Sequence, residues 1–99
     1  MYGVIQNKAA RGYILEVAKI SYPQPLGSDI IDACLKDAGM HLSPMQIEGH
    51  IQYLEDRGYV CTSKSTLPIT NTPIILVTLT AGGIDVLEKT ISDPGVTIK

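Results

Sequence analysis

The sequence predicts an α+β fold: a core of three helices, a two-stranded β-hairpin and a closing C-terminal helix. Two observations carry that expectation. Two consecutive amphipathic segments, Ser28 to Ala38 and Ser43 to Arg57, each open on a capping residue and are each followed by a glycine. Beyond Gly58 the apolar pattern changes from helical spacing to a period of two.

Between about Val4 and Ile20 there is no proline, and Ala10, Tyr13, Ile14 and Val17 recur at helical spacing. Pro23 and Pro25 stop this first helix near Tyr22, because proline lacks an amide proton and restricts the residue before it. Ser28 is placed to cap a second helix, in which Ile30, Ile31, Cys34, Leu35 and Ala38 form an apolar stripe opposite Asp29, Asp32, Lys36 and Asp37. Gly39 suits a left-handed close. Ser43-Pro44-Met45-Gln46 opens the third helix: serine caps, proline fits the first helical position, and glutamine can complete a capping box. Ile47, Ile51 and Leu54 are its inward stripe. The short link from Gly39 to Leu42 gives helix-turn-helix spacing.

Tyr59 to Lys64 and Ile74 to Leu79 read as strands, joined by a long tip, Ser65 to Pro73, that carries Pro68, Asn71 and Pro73. Thr80 caps a fourth helix with Ile84, Leu87 and Ile91 on one side and Val86 facing away. Gly82 and Gly83 weaken its first turn by about 1 kcal/mol each relative to alanine. Asp93-Pro94-Gly95 ends it. The 99 residues make one domain, with a core over about 4–91 and a short tail over 92–99.

Composition narrows the chemistry. Neither Trp nor Phe is present, so the core is aliphatic with five tyrosines as its large rings. Eight Lys and Arg stand against ten Asp and Glu, a net charge of −2, which excludes a strongly basic surface. Cys34 and Cys61 are too few for a disulfide scaffold, and with His41 and His50 they show no metal-ligand spacing. Both thiols are expected to be buried packing groups, and His50 sits at the core margin. No signal segment opens the chain and no apolar run approaches a membrane span, so a cytoplasmic protein with no membrane partner is expected.

Leu54-Glu55-Asp56-Arg57-Gly58-Tyr59-Val60 resembles the junction where a recognition helix runs into a wing. Val77-Thr78-Leu79-Thr80-Ala81-Gly82-Gly83, with Leu87 beyond, is similar to the strand-to-last-helix passage of MarR-like regulators. The order of elements, with Gly83-Ile84-Asp85 and Pro94-Gly95-Val96, also resembles small winged-helix proteins of Mu-like prophages. The resemblance spans roughly Ala10 to Ile91 and implies a winged helix-turn-helix fold. It implies a transcriptional regulator whose third helix enters the major groove of double-stranded DNA.

On that reading Met45, Gln46, Glu48, Gly49, Gln52 and Tyr53 of the third helix contact DNA, together with Lys64 and Asn71 of the wing. Gln46 and Gln52 can pair with adenine edges and Glu48 with a cytosine amine. Lys8 and Arg11, one helical turn apart, either grip a phosphate or face water. A homodimer would place two such helices on one face of the duplex, using Tyr2, Val4, Ile5, Ile20, Tyr22 and Val86. The acidic balance, and a third-helix face without Lys or Arg, motivate the alternative to this DNA-binding regulator: a protein-interaction module on the same fold. No phosphate loop, His-Glu-x-x-His, or Ser or Cys beside a His is present, so no enzyme, cofactor or metal is expected.

Overall fold

The computed structural model describes residues 2–98, with side chains from Gly3 onward. Among them are four helices and one three-stranded antiparallel sheet, an α+β architecture. The order is α1 (Tyr2–Ser21), β1 (Leu26–Gly27), α2 (Ser28–Asp37), α3 (Pro44–Asp56), β2 (Val60–Thr66), β3 (Pro73–Leu79) and α4 (Ala81–Leu87). The β2–β3 ribbon runs in register from Val60 opposite Leu79 to Thr66 opposite Pro73.

β3 is the central strand, because β1 pairs on its other edge, Leu26 opposite Val77 and Gly27 opposite Leu76. This third strand is a departure from the two-stranded expectation. Two residues between Pro25 and a helix carry no alternation from which a strand could be read. It also reassigns Ser28. Gly27, not Ser28, is the N-cap of α2 and makes no side-chain cap bond; the Ser28 hydroxyl instead accepts the Ile75 amide proton at 3.0 Å. The serine satisfies β3 just beyond the last β1 pair.

α3 starts as its sequence requires. Ser43 Oγ accepts the Gln46 amide at 3.2 Å, and Gln46 Oε1 accepts the Ser43 amide at 2.8 Å, which satisfies two orphan donors reciprocally. Gly39 has φ +83, the left-handed close that a side chain would strain. Ile14 and Leu15 of α1, Ile31 and Leu35 of α2, Ile51 and Leu54 of α3 and Val77 of β3 are fully buried, each worth about 1.5–3 kcal/mol of apolar burial. The α2 stripe is narrower than its sequence suggests, with Ile30 49% exposed and Ala38 exposed.

The C-terminal third departs further. α4 ends at Leu87, not near Ile91, and Lys89 stands two residues beyond at φ 61. Val86 faces inward and is buried, while Ile84 and Leu87 are half-buried and Ile91 is exposed. The Thr80 cap holds, accepting the Gly83 amide at 3.2 Å. The segment after α4 is no loose tail: Asp93 and Val96 are buried, and the Thr97 amide donates to the Lys8 carbonyl at 3.1 Å. That seat lies directly on Gly12, where a β-carbon would collide with the Thr97 carbonyl oxygen.

Cys34 is half-buried and Cys61 is exposed. Cys61 stands on β2, an edge strand, so being mid-strand does not bury it.

Candidate interaction site

α3 turns Ile47, His50, Ile51 and Leu54 inward. At 100° per residue this leaves Met45, Glu48, Gly49, Gln52 and Asp56 exposed. Beside this face runs an open cleft of about 420 Å³ between α3 and the ribbon. α3 lines it with Glu48, Ile51, Gln52 and Glu55, and the ribbon with Thr62, Lys64, Pro73, Ile74 and Ile75. Ser28 completes it. Two bonds between elements fix its shape: Thr62 Oγ1 donates to Glu55 Oε2 at 2.7 Å, and the Ile75 amide donates to Ser28 Oγ.

The residues expected to read DNA separate into groups. Glu48, Gln52 and Lys64 meet in the cleft. Met45, 82% exposed, and Gly49 stand on the same helix outside its lining. Gln46 is exposed, but its side chain is engaged in the α3 cap. The Gln52 amide donates to Asp56 at 2.9 Å and Glu55 at 3.4 Å. Asn71 is exposed in the 67–72 tip at φ 56, away from the cleft lining.

Tyr53 belongs to a different constellation. Its ring lies 3.9 Å from the Arg11 guanidinium carbon and 5.3 Å from that of Arg57. Arg57 donates to the Tyr53 hydroxyl at 3.1 Å and lies 3.7 Å from Asp93. Arg11 donates to the Gly95 carbonyl at 3.1 Å. Asp93 in turn accepts the Tyr59 hydroxyl at 2.6 Å and the Gly95 amide at 2.7 Å. Burial alone would raise the Asp93 carboxyl, but the Tyr59 and Gly95 bonds, with Arg57 and Arg11, outweigh it and hold the group below its usual value. The Asp93 bond, burial and the Asp93 charge push Tyr59 up to about 12. Burial, then the charge of Arg11, lowers His50.

This cluster seats the segment after α4 against α1 and α3. It also withdraws Arg11 from the phosphate role considered for it.

The charge left on the α3–ribbon face is acidic. Glu48, Glu55 and Asp56 supply three carboxylates, against the single ammonium of Lys64. Sequence reasoning missed the cleft's apolar lining and Thr62, because the orientation of ribbon side chains depends on register. The spacing of Glu48 and Glu55, two turns apart on one helix, was the available signal.

Of the exposed apolar groups on α1, Val4 and Ile5 lie at one end and Ile20 at the other, with Tyr22 just beyond. Roughly 24 Å of helix separates Val4 from Ile20. Val86, buried, leaves the dimer set, and the Tyr2 side chain lies outside the described residues. Among the described residues no group of three or more His, Cys, Asp or Glu is placed to hold a metal ion. No described helix is long and apolar enough to cross a membrane. No protein-family model matches the chain, and no curated protein or solved structure is significantly similar to it.

Proposed function

We propose that the chain is a winged helix-turn-helix domain that works as a protein-interaction module, with α3 and the β2–β3 wing as its working face. The fold reading is supported by the order of elements: α2 and α3 joined by a short turn, then a ribbon, then a short helix, with α1 packed behind. One observation carries the functional reading. The face that a winged helix turns to its target presents three carboxylates and one ammonium, and the neighbouring arginines are committed to Tyr53, Gly95 and Asp93. Phosphate binding draws its affinity from released counterions, which needs several free cations on one face. Three carboxylates oppose it. The two free thiols, Cys34 and Cys61, suit a reducing cytoplasm.

A second reading, DNA binding as a homodimer, rests on the start of α3. Its first turn holds no acidic residue, and Met45 and Gly49 stand exposed on the helix, so no carboxylate there neutralises the positive end of the helix dipole, although Ser43 and Gln46 already cap it. Lys64 and Asn71 of the wing would then touch the backbone.

Duplex titration separates the two. A random-sequence duplex at about 50 mM salt is expected to show no saturable binding. Affinity purification is expected to recover one stoichiometric protein partner. Tight duplex binding that weakens steeply as salt rises overturns the protein reading.

A further inference from the structure

The α3–ribbon cleft has the makings of a docking groove. Ile74 and Ile75, half-buried, bring apolar surface into it, over the buried Ile51 at its floor. Glu48 and Glu55 flank that surface, about 10 Å apart along the helix axis. Glu55 is engaged, accepting from Thr62 and Gln52. Glu48 is exposed and makes no ion pair or side-chain hydrogen bond among the described residues. A free carboxylate beside aliphatic surface is complementary to a side chain with an apolar stem and a cationic head. The cleft is open to solvent, a shape that suits an extended chain better than an enclosed small molecule. Its walls are tied by the Thr62–Glu55 and Ile75–Ser28 bonds, so docking costs little reorganisation.

We infer that this cleft docks an extended segment of a partner protein, with a lysine or arginine against Glu48 and a nearby aliphatic side chain over Ile74 and Ile75. The inference rests on the protein-interaction reading above and gives it a site and a ligand chemistry. Lys64, on the ribbon side, repels a cation there and so places the partner's basic group on the α3 side.

The test uses the full chain and two fluorescent octapeptides, one alternating arginine and leucine, the other glutamate and leucine. The arginine peptide is expected to bind and the glutamate peptide not to. Glu48→Lys is expected to weaken the arginine peptide about tenfold and Lys64→Glu to tighten it about threefold, with unchanged melting temperatures because both side chains are exposed. Amide shifts on binding are expected to cluster at Ile51, Thr62, Ile74 and Ile75. Binding of both peptides, binding of neither, or indifference to Glu48→Lys overturns the inference. A purified partner that binds Glu48→Lys as well as the parent removes the cleft assignment but leaves the interaction module standing. A duplex that binds and displaces the arginine peptide removes both.

Discussion

Asp93 is a polar hub: a hydroxyl, an amide and a guanidinium converge on one buried carboxylate. Its two short bonds have charge-assisted geometry. Asp93→Asn is therefore expected to cost about 1–3 kcal/mol, read from denaturant unfolding at neutral pH. The directions of the shifts set the pH dependence. A carboxyl held below its usual value contributes fully above the unfolded-chain value, about 3.9, and loses that contribution as pH falls through the lower folded value. Acid unfolding of the parent should steepen below about pH 4, and Asp93→Asn should lack that component. Tyr59 runs the other way: raised to about 12, it contributes fully below the unfolded value near 10 and loses it as pH climbs towards 12. Tyr59→Phe should flatten the alkaline limb of the stability curve. His50, lowered by burial and then Arg11, favours the fold above about 6.5 and loses that effect as pH falls below it. Its imidazole resonance should titrate with a midpoint under 6.5.

At the level of elements, two serines at helix starts have different roles. Ser43 closes a reciprocal cap, so Ser43→Ala should cost about 1 kcal/mol and fray α3. Ser28 bonds β3, so Ser28→Ala should speed hydrogen exchange at the Ile75 amide while leaving α2 protected. Local sequence cannot tell these serines apart, because the difference lies in a strand 47 residues away. α1, α3 and the ribbon were legible for the opposite reason: their signals are periodicity, a capping box and proline punctuation within each segment. α4 was misjudged where local spacing competed with packing. Ile84, Leu87 and Ile91 share a helical face, but Gly83 packs on Leu79, Val86 joins the buried core and the helix stops at Leu87. Half of the candidate site was legible in the same way. The outward residues of α3 follow from 100° spacing, whereas the ribbon's contribution depends on a register that a one-residue slip would invert.

Across the whole molecule, the segment after α4 decides more than its length suggests. Truncating the chain after Ser92 uncovers the Val96 seat and strips partners from Tyr59, Arg57 and Arg11. The loss should approach about 3 kcal/mol, roughly 15 °C in melting temperature, measured by calorimetry. The same cluster engages Arg11 and Arg57, so anchoring the C-terminal segment and setting the charge of the α3–ribbon face are one event. Gly12 carries a further consequence. A single methyl there has nowhere to go but into the Thr97 carbonyl, yet alanine also strengthens a helix by up to about 1 kcal/mol over glycine. Exchanging one for the other should yield a protein with a stiffer first helix and a detached end, in which the arginine–tyrosine stack loses its lid while the α3–ribbon cleft keeps its shape.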